Sequence, residues 1–140
     1  MKTYAFRLHS GQDLRAEIDK FVKEKNILAG VIVTCVGRLD KVVLRMAGAK
    51  TTKHIKGVFE IISLGGTLES GNIHLHIAIS DEEGETFGGH LKIGSMVGVT
   101  AEVVIGELDG VKFSRKFDKE TGFEELVIHS FGKNNHKANS

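Results

Sequence analysis

Apolar and polar residues alternate strictly over residues 72–80, with isoleucine or leucine at every second position from 73 to 79. The side chains of a β-strand point to opposite faces in turn, so His74 and His76 share the polar face of the predicted strand. The following segment, 81–86, is polar, contains a glycine and predicts a hairpin loop. A hairpin centred in this segment places His76 opposite His90 on the returning strand.

A helical period replaces the alternation nearer the start of the chain. Four apolar residues recur at the i, i+4, i+7 and i+8 positions of one helix face, namely Leu14, Ile18, Phe21 and Val22. The preceding residues 10–13 resemble a capping box, in which side-chain oxygens accept hydrogen bonds from the free amides of the first turn. The pattern predicts an amphipathic helix of about four turns that ends near Asn26.

Strand patterns occupy most of the remaining chain. Besides 72–80 and the return at 88–90, they cover residues 2–8, 29–36, 41–46, 58–64, 98–107 and 112–117. Gly37 and Arg38 predict a break between two of these strands, residues 47–56 indicate a polar connection, and residues 108–111 predict a tight turn. The sum predicts an α+β fold, in which one domain contains a largely antiparallel sheet of about seven strands and one main amphipathic helix.

One helix is too small to cover a sheet of this size, so part of the sheet is expected to face another subunit. The apolar positions predicted to do so are Val42, Leu44, Val97, Val99 and Val103. Because apolar surface left uncovered by a chain is commonly buried by a second copy, this pattern predicts a homo-oligomer.

Length and composition are those of one globular domain, which we place at 1–130, followed by a disordered polar tail at 131–140. Cys35 is the single cysteine, which excludes an intrachain disulfide framework, and it lies in an apolar run where an inert core thiol is expected. The first residues lack the apolar stretch of a signal peptide, and no apolar run is long enough to span a bilayer. A cytoplasmic location without a membrane partner is therefore expected.

The charge balance does not favour nucleic acid as a partner, because the formal net charge is only +1. Domains that bind duplex DNA usually carry a strong basic excess, since neutralising phosphates supplies most of their non-specific affinity. Two local groups are basic and are the candidate phosphate contacts: Lys50, Lys53 and Lys56 in one, and Lys112, Arg115 and Lys116 in the other. The alternative interpretation of both groups is solvated surface charge.

The three histidines 74, 76 and 90 are the candidate metal ligands. Three neutral imidazoles are a common first shell for a divalent transition metal. The alternative is that these histidines are solvated or bonded to neighbours on the polar face of a sheet. The site also depends on the hairpin register, since a slip of one residue, for example at a bulge formed by Gly88 and Gly89, would send His90 to the opposite face.

The order and spacing of several motifs resemble the PPC domain, the plants-and-prokaryotes conserved domain. The resemblance covers roughly residues 4 to 128 and is carried by 6–14, 30–31, 36–39, 59–68, 74–77, 87–91 and 100–105. It implies a homotrimer and a stand-alone prokaryotic member, of a kind usually described as DNA-binding. It also implies a metal ion at His74, His76 and His90. The arginine- and proline-containing minor-groove hook of plant members is absent, because the chain contains no proline.

Three functions are compatible with these observations. The first is a homotrimeric, DNA-associated regulatory protein that carries a three-histidine metal site. The second is a metal-dependent enzyme or small-molecule sensor, in which zinc held by three imidazoles keeps an open fourth position; nickel or iron would accept the same ligands. Glu60 and Glu102 are the acidic candidates for a base, with solvent-facing or salt-bridging carboxylates as the alternative. The third is a trimeric protein-interaction module.

Overall fold

Eight β-strands and one α-helix follow one another along residues 1–131, which are the residues that the computed structural model describes. The elements, in chain order, are β1 (Lys2–His9), α1 (Leu14–Glu24), β2 (Gly30–Arg45), β3 (Thr52–Glu69), β4 (Asn72–Ser80), β5 (Thr86–Leu91), β6 (Met96–Glu107), β7 (Val111–Phe117) and β8 (Glu124–Ser130). The predicted disordered tail at 131–140 lies outside the described residues from 132 onward.

Six of the strands form one sheet in the order β1-β6-β2-β3-β4-β5, and every pairing in it is antiparallel. The end of β2 also pairs with β5, through Leu44 with Leu91 and Arg45 with His90. Because β2, β3, β4 and β5 are consecutive in the sheet, this additional pairing joins them into a closed ring of strands at that end. Strands β7 and β8 form a separate antiparallel hairpin. The predicted α+β fold with a largely antiparallel sheet is confirmed.

The predicted break at Gly37 and Arg38 is wrong, because residues 30–45 form one continuous strand. Gly37 has a φ of +152°, a backbone conformation that favours glycine, and the register between β2 and β6 shifts directly after it. A Cβ atom at this position would lie 2.1 Å from the carbonyl oxygen of Thr100. The glycine therefore permits a β-bulge that bends the strand without ending it.

Strand β3 is also longer than predicted, since it begins at Thr52, within the predicted polar connection, and continues past Gly65 and Gly66 to Glu69. Gly66 does not end the strand. A Cβ atom there would lie 2.1 Å from the carbonyl oxygen of His74, so the glycine allows β4 to approach closely. Strand β8 was not predicted, because residues 124–130 carry no strict alternation.

Helix α1 covers one face of the six-stranded sheet. Leu14, Ile18 and Val22 are fully buried against the sheet, as the helical period predicted. The carboxylate of Asp13 caps the helix by accepting a hydrogen bond of 3.0 Å from the amide of Ala16. The helix ends at Glu24, two residues before the predicted end at Asn26.

The prediction that five apolar positions face a partner subunit is wrong for four of them. Val42, Leu44, Val97 and Val103 are buried in the core of their own chain. Of these five positions, Val99 is the one that is exposed, at 60%, and so available to another molecule. The sequence pattern misassigned the four because the strands curl around the core and bury more than one helix alone would cover.

The 11-residue helix α1 is the only helix among residues 1–131, and no helix in that part of the chain has the length and apolar character required to cross a membrane.

Candidate metal centre

The backbone places the three predicted ligands side by side on one face of the sheet. His74 and His76 lie on β4, and His90 lies on β5. His76 is the direct cross-strand partner of His90, so the predicted hairpin register is confirmed. The adjacent glycines do not produce the slip considered above, since the β4–β5 register runs without a shift from His76 to Ser80.

Glycine is required at positions 88 and 89 because the backbone of β5 lies very close to those of β4 and β2. A Cβ atom at Gly88 would lie 2.1 Å from the carbonyl oxygen of Ile77, and one at Gly89 would lie 2.8 Å from the carbonyl oxygen of Arg45. The two glycines thus hold β5 between β4 and the end of β2. This fixes the position of His90, the next residue.

The imidazole rings converge on one small volume. The ring centroids of His74 and His76 are 4.8 Å apart, those of His74 and His90 are 5.1 Å apart, and those of His76 and His90 are 5.5 Å apart. One nitrogen from each ring lies within 4.8 Å of the others. The Nε2 atoms of His74 and His76 are separated by 3.1 Å.

These separations fit a tetrahedral metal. Zinc–nitrogen bonds of about 2.0–2.1 Å at tetrahedral angles separate two ligand nitrogens by about 3.3 Å. The His74–His76 pair is close to this spacing at 3.1 Å, and a nitrogen of His90 completes a group in which all three lie within 4.8 Å of one another. The donor set, three imidazoles without a carboxylate, suits zinc, nickel or iron.

The surroundings favour the neutral imidazoles that metal binding requires. Burial lowers the pKa of His90 to about 4, and the guanidinium of Arg45 acts in the same direction. Burial also lowers the pKa of His74, with further contributions from His76 and Arg115. At neutral pH both imidazoles are therefore neutral, and one ring nitrogen of each has the free lone pair that a metal needs.

Three arginines surround the histidines, and two of them are engaged by protein oxygens. Arg15 donates hydrogen bonds to the carbonyl oxygens of Leu91 and Ile73, at 3.1 and 3.0 Å. Arg115 lies 3.5 Å from a carboxylate oxygen of Glu69. Arg45 differs, because its Nη2 atom lies 3.5 Å from Nδ1 of His90 and no ion pair within residues 1–131 involves it.

A cavity of about 520 Å³ opens beside the histidines. Its lining residues are Arg45, Met46, Ala47, Gly48, Ala49, His76, Gly88, Gly89, His90 and Phe123. Sequence reasoning did not identify Arg45 or Phe123, and no local signal marks them. Both reach the site through non-local structure: Arg45 by the pairing of β2 with β5, and Phe123 from the turn between β7 and β8.

The carboxylates considered as a base do not join the cluster. Glu102 lies on β6, three strands away from β4 in the sheet order, which is about 14 Å at the usual strand spacing. Glu60 pairs with Ser80, at the opposite end of β4 from His74. The candidate metal-ligating group in residues 1–131 contains only the three histidines.

The basic candidates fall into two separate places. Lys50, Lys53 and Lys56 are exposed at the β2–β3 hairpin end, and Lys112 and Lys116 are exposed on β7. Arg115 belongs to neither surface, since its side chain is 12% exposed and contacts Glu69. Contact with a nucleic acid remains a prediction for all of these residues.

The fold and the cluster together define a small α+β protein with a candidate three-histidine metal centre. The chain belongs to the family of the Plants and Prokaryotes Conserved (PCC) domain, whose model matches residues 1–109. The family indicated by the sequence resemblance is thereby confirmed.

Similar proteins come from several prokaryotes. The Bifunctional protein GlmU of Synechococcus sp. strain JA-3-3Ab is 37% identical over 128 residues, which are 91% of this chain and 21% of that protein. The chain thus spans about a fifth of the length of this relative. A hypothetical protein from Salmonella enterica is 43% identical, with a TM-score of 0.89 over 92% of this chain and 94% of that one. A metal-containing protein from Archaeoglobus fulgidus is 29% identical, with a TM-score of 0.80 over 91% of this chain and 94% of that one.

Proposed function

We propose that this chain is a metal-binding protein in which His74, His76 and His90 hold one divalent ion, with zinc as the first expectation. The convergence of one nitrogen from each imidazole within 4.8 Å is the observation that carries the proposal. The lowered pKa values of His74 and His90 support it, because neutral imidazole is the ligating form. The similar fold of the metal-containing Archaeoglobus fulgidus protein supports it as well.

Three protein ligands are characteristic of a site that exchanges its fourth ligand, whereas structural zinc sites usually have four. A zinc ion in such a site supplies Lewis-acid chemistry and acidifies a bound water. The chain's own contribution is the orientation of the three rings by the β4–β5 ladder and the cavity beside them. A site open to a small molecule agrees better with this geometry than a purely structural ion does.

Elemental analysis of the purified full chain, before and after chelation and reloading with zinc, tests the proposal. We expect about one ion per chain in the wild type and at least about tenfold weaker zinc binding in His76→Ala. His54→Ala is the matched control, because His54 is exposed on β3 and lies outside the cluster. Equal zinc affinity in His76→Ala and the wild type would refute the site.

Association with DNA is a second proposal, and the β2–β3 hairpin end carries it. Lys41 lies directly opposite Lys56 across the ladder, with Lys50 and Lys53 nearby in the chain. Like charges in directly opposed positions destabilise a sheet, and a phosphate between them would relieve the repulsion.

Titration with duplex DNA at about 50 and 200 mM salt tests this second proposal, because phosphate-driven binding weakens steeply as salt rises. We expect the Lys41→Ala/Lys56→Ala double variant to lose affinity and the Lys112→Ala/Lys116→Ala double variant to retain it. If instead only the Lys112→Ala/Lys116→Ala variant lost affinity, the DNA contact would lie on β7. Absence of binding by the wild type at low salt would exclude direct DNA association.

We also propose that the chain assembles as a homotrimer. Val33, Val36 and Val99 are each about half exposed or more, on the neighbouring strands β2 and β6, and a partner subunit would cover them. Light scattering coupled to size-exclusion chromatography should give a mass three times the 15.3 kDa of one chain. A monomeric mass at micromolar concentration would refute the assembly.

A further inference from the structure

We propose that the cavity beside the three histidines binds a small molecule with an oxyanion group, a carboxylate or a phosphate, which Arg45 holds. The ligand would place its oxyanion between Arg45 and the open position of the metal, with its apolar part against Phe123. This inference rests on the proposed metal centre and adds the chemical class of what that centre binds.

Arg45 is the first argument, because it is a cation at the site with no anionic partner among residues 1–131. It lies directly opposite His90, with its Nη2 atom 3.5 Å from Nδ1 of that ring. No carboxylate within residues 1–131 forms an ion pair with it. A guanidinium presents paired N–H donors whose geometry matches two oxygens of a carboxylate or phosphate.

The charge of the loaded site is the second argument. A divalent ion held at the histidines would lie close to Arg45 and would repel it. Arg15 and Arg115 add further positive charge nearby, and Glu69 is occupied by Arg115. An anionic ligand between the ion and Arg45 converts this repulsion into two attractions, whereas a neutral ligand leaves it in place.

The cavity is the third argument. Its volume of about 520 Å³ falls in the range of small-molecule sites. Its lining includes the apolar side chains of Met46, Ala47, Ala49 and Phe123, and the centroid of the Phe123 ring lies 6.0 Å from the Arg45 guanidinium carbon. Gly88 and Gly89 also line the cavity and contribute no side chains to it. A ligand with a polar head at Arg45 and an apolar body against Phe123 would be accommodated in this cavity.

Calorimetric titration of the zinc-loaded full chain tests the inference with three probes that share a six-membered aromatic ring. Benzoate carries a carboxylate, phenyl phosphate carries a phosphate, and benzyl alcohol is uncharged. We expect at least one of the two anions to bind about tenfold more tightly than the alcohol, and the tighter anion identifies which oxyanion the site prefers.

Two sets of variants locate the contact. Arg45→Met should weaken anion binding by at least about tenfold, whereas Arg38→Met should leave it unchanged, because Arg38 is on the same strand but is paired with Asp40. Ala47 is exposed at the rim of the cavity, so Ala47→Glu and Ala47→Lys keep the fold and should shift the affinity in opposite directions, weaker and tighter respectively.

The zinc content of every sample is measured in parallel, so that failure of the metal centre can be distinguished from failure of the oxyanion site. Zinc-loaded Arg45→Met that binds both anions as the wild type does would overturn the inference, as would a zinc-loaded wild type that prefers benzyl alcohol. If the wild type holds no zinc, the metal centre is refuted. The oxyanion site is then tested by the same comparison in the metal-free chain: weaker anion binding by Arg45→Met supports it, and equal anion binding refutes it.

Discussion

His76 and His90 are directly paired across the β4–β5 ladder, with ring centroids 5.5 Å apart. Side chains in such a pair leave the same face of the sheet, so neither ring needs an unusual backbone to meet the other. His74 joins them because it lies two residues before His76 on the same face. The candidate metal centre is therefore as rigid as the hairpin that carries it, and changes to that hairpin should act on both stability and metal binding.

Gly88→Ala should disrupt the hairpin, because the new methyl group would overlap the carbonyl oxygen of Ile77. We expect a loss of about 2–3 kcal/mol in the free energy of unfolding of the metal-free chain, measured by urea denaturation, together with weaker zinc binding. Gly65→Ala is the matched control, since a Cβ atom at Gly65 meets no atom within 4 Å. Equal effects of the two substitutions would contradict the close approach of β4 and β5.

The metal-free chain should lose stability as the pH falls from about 6.5 to 4. Burial lowers the pKa of His90 to about 4, whereas the same side chain in the unfolded chain titrates near 6.5. Between these values the unfolded chain binds more protons, so the free energy of unfolding decreases as the pH is lowered. Urea denaturation at several pH values should show this slope, and His90→Gln should flatten it. An unchanged slope in His90→Gln would assign the effect to other groups.

The thiol of Cys35 should be unreactive in the folded chain. Burial raises the pKa of Cys35 to about 12, so almost no thiolate exists at pH 8, and the side chain is 3% exposed. Because the thiolate is the nucleophile, reaction with Ellman's reagent should be at least about a hundredfold slower in buffer than in denaturant. Comparable rates in the two conditions would show that the strand around Cys35 opens readily.

Asp13→Ala should destabilise the chain by about 2–3 kcal/mol, more than the loss of an ordinary helix cap. One carboxylate oxygen of Asp13 accepts from the amide of Ala16 at 3.0 Å, and the other accepts from the amide of Gly94 at 2.6 Å. The substitution removes the cap and also leaves the Gly94 amide without its partner. Thermal or urea unfolding measures the effect. Asp13→Asn retains one acceptor oxygen and should lie between the wild type and Asp13→Ala.

Local patterns were sufficient to predict the histidine hairpin and the helix. The alternation over residues 72–80 places His74 and His76 on one face, and the short polar loop after it sets the position of His90. The helical period of Leu14, Ile18 and Val22 likewise predicts which face is buried. Each of these inferences depends on residues that are close in sequence, where the geometry of a strand, a hairpin or a helix relates them directly.

Patterns in the chain alone did not predict the lengths of β2 and β3 or the surroundings of the histidines. Gly37 and Gly66 are glycines of the kind that commonly end a strand. Here β2 continues through Gly37 and β3 through Gly66, and the missing side chains let the neighbouring strands approach closely. Arg45 meets His90 only because β2 closes on β5, between residues 45 positions apart. The sequence by itself therefore determined the three candidate ligands and the hairpin register that brings them together, through short-range periodicity. Only the tertiary structure decided that a cavity lies beside them with Arg45, an arginine that has no ion-pair partner among residues 1–131, because such contacts depend on how distant strands curl and pair around the core.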